Sequence, residues 1–115
     1  MFTPDPSTSN RGNVGGAIGN NSCGAHSIIW GKTSDNILDI QTILSNGDKA
    51  KFGPISKDEF HNFSLQESLE GNIYRTLTTI INDYKDEISS KYPNIQRRVG
   101  GYNLDHFISK ESINM

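Results

Sequence analysis

Along residues 1–33 glycine and asparagine interrupt the apolar positions, so this third reads as a loop-rich segment whose backbone turns tightly or approaches something closely. Residues 14–20 have room for one or two helical turns, whose start would aim bare N–H groups at whatever lies beyond. From Ile37 the pattern changes. Residues 37–44, with Ile37, Leu38, Ile40, Ile43 and Leu44, predict a strand buried over much of its length. Asn46-Gly47 then predicts a hairpin, since both positions tolerate positive φ. Lys49-Ala50-Lys51-Phe52 alternates as a half-exposed return strand that Pro54 ends.

Ser56-Lys57-Asp58-Glu59 fits a capping box and opens a short helix to about Phe63. Ser64-Leu65-Gln66-Glu67 fits a second box. After it Leu65, Leu69, Ile73, Leu77, Ile80, Ile81, Tyr84 and Ile88 recur mostly at three- and four-residue steps. That spacing predicts an amphipathic helix of about six turns, ending before Pro93, with this stripe as core or sheet-covering surface. Gly71 inside it costs about 1 kcal/mol relative to alanine, which can set the first turns apart. Residues 97–105 are turn-like, and residues 109–115 show no sign of closing a domain.

Composition narrows the class. The 115 residues suffice for one modest domain. Leu, Ile, Val and Phe number 27, above the ~20% below which a highly charged chain stays disordered. With only 33% apolar residues the core is thin, and a thin core leans on a cofactor or on covering segments from elsewhere. A net charge of −2 speaks against a nucleic-acid binder, which needs a basic stripe. The single cysteine excludes an internal disulfide and is ordinary for a cytosolic protein. There is no apolar run of membrane-spanning length, and Met1–Pro6 lacks the basic and apolar regions of a signal peptide. The sequons at Asn20 and Asn62 therefore carry no weight.

Candidate chemistry concentrates in the glycines, six of which lie between Gly12 and Gly31. The run Gly12-Asn13-Val14-Gly15-Gly16-Ala17-Ile18-Gly19 is not the dinucleotide fingerprint, and no strand precedes it. Gly31-Lys32-Thr33 ends like a P-loop, but that loop's first glycine would fall at His26. Two readings stay open: a set of tight turns, or backbone contact with an anion or cofactor. Cys23 and His26 stand three apart, yet a metal site needs three or four ligands, and His61 and His106 lie in separate segments. A thiol nucleophile needs an oxyanion site that nothing here indicates, so Cys23 reads as a small residue in a crowded turn. Arg97-Arg98 reads as a solvated pair beyond a helix or as an anion clamp. Asp39 reads as a carboxylate at a pleat facing water. No residue stands out as catalytic or as a metal ligand.

The order of motifs is more specific than any one of them. Phe2-Thr3-Pro4-Asp5-Pro6-Ser7-Thr8-Ser9 is followed by Val14-Gly15-Gly16-Ala17-Ile18-Gly19-Asn20-Asn21-Ser22-Cys23-Gly24. Trp30-Gly31-Lys32-Thr33-Ser34-Asp35-Asn36 and Ile43-Leu44-Ser45-Asn46-Gly47 complete the series. This series resembles the FAD-linked oxidases with the vanillyl-alcohol-oxidase-like, PCMH-type FAD fold, including the glycolate oxidase and D-lactate dehydrogenase types. The long helix, Tyr92-Pro93 and the stretch from Arg97 to Asp105 look like those of the large D-2-hydroxyacid (2-hydroxyglutarate-type) dehydrogenases.

The resemblance implies an α+β fold: part of the second FAD-binding subdomain, a hairpin of a mainly antiparallel sheet with the long helix packed on it. It implies that the Pro-Asp-Pro turn, the Gly-Gly helix start and the Asn-x-x-Gly loop line FAD, mostly through backbone. By position these are Pro4, Asp5, Ser9, Asn13, Gly15, Gly16, Asn20, Asn21, Cys23 and Gly24. Cys23 stands where relatives often carry Ser or Ala. The family's upstream Gly-rich pyrophosphate loop and its downstream substrate domain fall outside residues 1–115, which makes the expected unit a partial FAD-binding domain. The parent enzyme would oxidise a D-2-hydroxyacid to a 2-oxoacid, with FAD taking the hydride. The partners are then FAD and the remainder of the two domains, in the same parent chain or in a neighbouring polypeptide. The expected place is the cytoplasm, or a membrane surface reached through the parent enzyme. The alternative is a remnant or interaction module without flavin, inactive alone.

Overall fold

The computed structural model describes residues 2–107 and 112–114. They form two compact units, one from residues 2–37 with Pro93–Gly101 and one from Leu38–Tyr92 with the described residues from Tyr102 onward.

The first unit is built from turns and single helical turns. Helix α1 spans Val14–Gly19, within the stretch expected to be helical. Its start is not bare, because Asn13 caps it: Oδ1 accepts the Gly16 N–H at 2.6 Å. Asn20 closes the other end, its N–H donating to the Gly16 and Ile18 carbonyls. Ahead of α1, the Thr8 carbonyl accepts from the Arg11 and Gly12 N–H groups, folding residues 8–12 into a turn. A further one-turn helix, α2 at Ser27–Trp30, is followed by a 3-10 turn at Ser34–Asn36. The periodicity gave no sign of α2, since one turn is too short to show a period. Thr33 is fully buried, its Oγ1 donating to the Ser22 carbonyl at 2.7 Å.

In the second unit, strand β1 (Ile40–Ile43) pairs antiparallel with β2 (Lys49–Phe52), Ile40 opposite Phe52 and Ile43 opposite Lys49. The hairpin forms at Asn46-Gly47, but only Gly47 takes a positive φ (88°). Asn46 instead folds its side-chain oxygen onto the Asp48 N–H at 3.1 Å. β1 is shorter than the apolar run and is not a buried strand. Gln41 and Ile43 face solvent, Ile40 and Thr42 are half-buried, and Leu38 before the strand is 81% exposed. Two strands have one covered face at most, so the run cannot all be inside. The return strand alternates as expected, with Ala50 buried between two exposed lysines. Asp39 lies just before β1, facing water and 3.1 Å from Lys51 Nζ.

Pro54 does more than end β2. It opens β3 (Pro54–Ser56), which pairs antiparallel with β4 (Ser112–Asn114), Ile55 opposite Ile113. Proline fits the first position of an edge strand, where no ladder N–H is required. The end of the chain thus closes onto the second unit through residues 112–114, contrary to the expectation from sequence. The rest of the stretch 109–115 lies outside the described residues.

Helix α3 (Lys57–Ser64) carries the expected capping box in full: Ser56 Oγ accepts the Glu59 N–H at 3.2 Å and Glu59 Oε2 accepts the Ser56 N–H at 2.9 Å. The second box is not used. Ser64 is the last residue of α3, and its hydroxyl donates back to the His61 carbonyl at 2.6 Å. The next helix, α4, spans Leu69–Asp83 and is capped by Ser68, whose Oγ accepts the Gly71 N–H. Gly71 is there for space, since a Cβ would run into the Gln66 and Phe63 carbonyls. Arg75 Nη1 ties the corner by donating to the Ser64 and Gln66 carbonyls, both at 2.7 Å. The single long helix of the sequence reading is therefore two. The chain leaves helical geometry at Tyr84 (φ −115°), and α5 covers Lys85–Lys91. Asn82 and Asp83, both weak helix formers, precede the break.

The core is aromatic. Tyr74 on α4 is fully buried, its ring stacked on Phe63 (centroids 5.1 Å apart) and met edge-on by Phe60 at 5.0 Å, with Phe52 from β2 at 6.3 Å. Ala50 and Ile88 are buried too. Leu69, Ile73, Leu77, Ile80 and Ile81 are half-buried, whereas Leu65 and Tyr84, both assigned to the stripe, face solvent. Leu65 lies before α4, and Tyr84 sits at the break, so neither shares the helix face on which the spacing placed them.

Candidate functional site

The residues expected to meet a cofactor all lie in the first unit, and the structure brings part of them together. Pro4 and Asp5 form a tight turn with Asp5 in the left-handed region (φ 45°). Pro4 is buried. The Asp5 and Pro4 carbonyls lie so close to the Gly24 α-carbon that a Cβ there would collide with both. Ser27 locks this approach: its Oγ accepts the Gly24 N–H at 3.0 Å and lies 3.3 Å from the Pro4 carbonyl oxygen, to which it donates. Asp5 Oδ2 stands 3.2 Å from His26 Nδ1.

Asn21 is the second non-glycine residue with positive φ (42°), and its Oδ1 accepts the Ser34 N–H at 3.0 Å. Ser22 next to it accepts from both the backbone and the hydroxyl of Thr33. The loop from Asn20 to Gly24 is thereby held between α1 and the turn at residues 33–36. Cys23 within it is a half-buried free thiol. Ser9 is exposed, its N–H donating to the Pro6 carbonyl in the preceding turn. Asn13, Gly15, Gly16 and Asn20 sit along α1, all exposed.

The glycines divide into two kinds. At Gly24 and at Gly31 (φ 78°) the fold itself demands glycine, the latter with Asp35 packed against it. At Gly15 a Cβ would meet only Asn13 Oδ1, at an ordinary 3.8 Å, and at Gly19 it would meet nothing. Neither takes a positive φ. The face of α1 that carries them is therefore open backbone for which the chain shows no internal need.

Residues 1–53 match the family model described as an FAD binding domain. Over 96% of its length the chain is 34% identical to the D-2-hydroxyglutarate dehydrogenase of Pantoea ananatis and 31% identical to that of Escherichia coli, spanning 11% of each. It is 34% identical over 59 residues to the glycolate oxidase subunit GlcD of Bacillus subtilis, half of this chain and 13% of that one. The first 53 residues belong to this FAD binding domain family, and the chain as a whole is related to the D-2-hydroxyglutarate dehydrogenases. The cofactor indicated is FAD. The chain covers about a tenth of the length of the curated dehydrogenases it matches. No solved structure matches it. The helices and small antiparallel sheets give an α+β make-up consistent with part of a PCMH-type FAD-binding domain.

The open glycine face of α1 fits a flavin nucleotide in kind: side-chain-free backbone with neutral amides of Asn13 and Asn20 at its two ends. Among the described residues, no three His, Cys, Asp or Glu side chains gather as a metal site, and no helix is long and apolar enough to cross a membrane. Sequence reading missed Ser27, Thr33 and Asn36. Asn36 Nδ2 donates to the Trp30 and Lys32 carbonyls, so it shapes the turn after α2. The available signal was the Ser/Asn turn chemistry around Gly24 and Gly31, which marks side chains that bond to nearby backbone.

Proposed function

We propose that this chain supplies one wall of the FAD site of a flavin-dependent dehydrogenase acting on a D-2-hydroxyacid of the 2-hydroxyglutarate type. One observation carries the reading: Gly15 and Gly19 are glycine where neither backbone angle nor neighbouring atoms require it. Glycine loses more conformational freedom on folding than any other residue and costs roughly 0.5–1 kcal/mol in a helix. A pair of them on the exposed face of α1 is accounted for by a ligand that must come close to the backbone. Pro4, Asp5, Ser9, Asn13, Gly15, Gly16, Asn20, Asn21, Cys23 and Gly24 are the proposed contacts. The capped N-terminus of α1 gives the Gly16 N–H to Asn13, so Asn13 would meet the cofactor with its amide oxygen already engaged.

The chemistry FAD supplies when bound is acceptance of a hydride from the α-carbon of the hydroxyacid. This chain's part is to hold and orient the cofactor. No acid–base residue is assigned to it, and the substrate-binding side belongs to the remainder of the parent enzyme, in the same chain or a companion polypeptide. Titrating the purified chain into FAD and following quenching of flavin fluorescence tests the reading. Saturable quenching is the expected result, by the chain alone or with the remainder co-expressed. A chain that takes up no FAD under either condition is a remnant without cofactor, and the reading falls.

A further inference from the structure

We infer that His26 is a positioning residue for the cofactor site, holding the Asp5 carboxylate in place through its Nδ1. This rests on the FAD reading above. Among the ten proposed contacts Asp5 alone carries a charge. A carboxylate on a turn that meets a ligand makes a specific contact only when a neighbouring group fixes its direction. The backbone of Asp5 is fixed already: its carbonyl lies on the Gly24 α-carbon, and the Pro4 carbonyl takes the Ser27 hydroxyl. Neither contact reaches the carboxylate. That group is met by the imidazole of His26, with Oδ2 3.2 Å from Nδ1.

The two residues come from turns 21 positions apart, and His26 directly precedes Ser27, the residue that locks the same turn through its hydroxyl. Adjacent side chains at the start of α2 thus hold one turn twice, the Ser27 hydroxyl on the turn's backbone and the His26 ring on the Asp5 side chain. Nδ1 carries a hydrogen in the imidazolium and in one neutral tautomer, so the contact needs a donor and not a particular charge. Neither a metal nor a nucleophilic role for His26 is required to explain its place three residues after Cys23.

The test is FAD titration of the full chain with His26→Phe, which keeps a ring and removes the donor, and His26→Asn, whose amide N–H occupies the place of Nδ1. His26→Phe is expected to weaken FAD binding about fivefold, the upper end for a partly exposed pair of this kind, and His26→Asn to restore it to within about twofold. In an Asp5→Asn background, His26→Phe is expected to cost less than about twofold, because the partner charge is gone. Unaltered binding by His26→Phe, or equal loss in His26→Phe and His26→Asn, overturns the inference. The carboxyl-carbon resonance of Asp5, read without FAD, separates the two ideas. It should move in His26→Phe and return in His26→Asn. If the wild-type chain takes up no FAD, the FAD reading falls and the cofactor role of His26 falls with it. A resonance that does not move rules out the Asp5–His26 contact itself, whatever FAD does.

Discussion

The two units are held together by different physics. Unit one has Pro4, Gly24, Ser27 and Thr33 as its buried residues among those described, and side chains bonded to backbone fix it: Asn13, Asn21, Ser27, Thr33 and Asn36. Ile28, Ile29 and Trp30 face outward, Ile29 with 75% of its surface exposed. Unit two is organised around Tyr74 and three phenylalanines. Hydrogen bonds to backbone hold a loop without filling the space around it, which leaves a glycine surface bare for a ligand. Apolar burial holds a helix pair by occupying the space between its parts. The unit with the candidate site is therefore the one without an aromatic core, organised as binding loops are, by bonds to backbone.

The largest expected effect breaks unit two and spares unit one. Tyr74→Ala should cost about 3–5 kcal/mol, the range for removing a large aromatic from a core. Far-UV circular dichroism in urea, which reports α3, α4 and α5, should register that loss. The chain's only tryptophan, Trp30, lies in unit one and reports it by fluorescence. Equal shifts in both signals would show that the two units unfold as one. Tyr74→Phe separates ring from hydroxyl. Tyr74 Oη is buried with no hydrogen-bond partner among the described residues, so its removal should be neutral or stabilising by about 1 kcal/mol. Burial, with Glu70 nearby adding to it, holds the Tyr74 hydroxyl above the ordinary tyrosine range. The neutral form is thus favoured in the fold, and stability is complete below the ordinary tyrosine range and falls as pH rises through the raised value. Tyr74→Phe should flatten that alkaline loss.

Gly24→Ala is the matching break in unit one. Its Cβ has no room against the Asp5 and Pro4 carbonyls, and overpacking of this kind costs about 1–3 kcal/mol. Trp30 fluorescence should register it, with the helical signal of unit two unmoved. Smaller again is the cap of α3. Ser56→Ala should cost unit two about 1 kcal/mol, read by far-UV circular dichroism in urea. The same box sets an acid response. The Ser56 backbone N–H, and then its hydroxyl, hold the Glu59 carboxyl below the ordinary glutamate range. A depressed value in the fold means the contribution is present above that range and is lost as pH falls through the lowered value, and Ser56→Ala, which keeps the backbone N–H and removes the hydroxyl, should reduce this dependence without abolishing it.

Legibility follows the same divide. The capping box at Ser56, the Asn46-Gly47 hairpin and the short helix at Val14–Gly19 were readable because each depends on neighbours within a few residues. Tyr74 was not, although it stands beside Ile73 in the stripe. Three- and four-residue spacing selects one line along a helix, whereas burial of Tyr74 depends on where Phe52, Phe60 and Phe63 come to rest. The false box at Ser64 shows the converse: a matching local pattern loses when α3 runs on to Ser64 and the carbonyls of Phe63 and Gln66 close around Gly71. In the candidate site, the motif order marked the turns, but the pairing of Asp5 with His26 and of Ser27 with Pro4 joins residues more than twenty apart and is set by folding alone.

The smallest expected effect on stability is the most informative about the site. Gly15→Ala places a Cβ in open space beside Asn13 Oδ1, in a helix where alanine is favoured over glycine. The fold should gain a few tenths of a kcal/mol up to about 1 kcal/mol, read as a small rise in the urea midpoint of Trp30 fluorescence. If the face of α1 is the wall a flavin approaches, the same methyl group stands between backbone and ligand, and FAD affinity should fall tenfold or more while stability rises. Gly24→Ala weakens fold and binding together, because there glycine serves the chain. Gly15→Ala should separate them, because there glycine serves what the chain meets. A variant that is both more stable and binds FAD as before would show that this glycine serves neither, and the contrast between the two kinds of glycine in unit one would be lost.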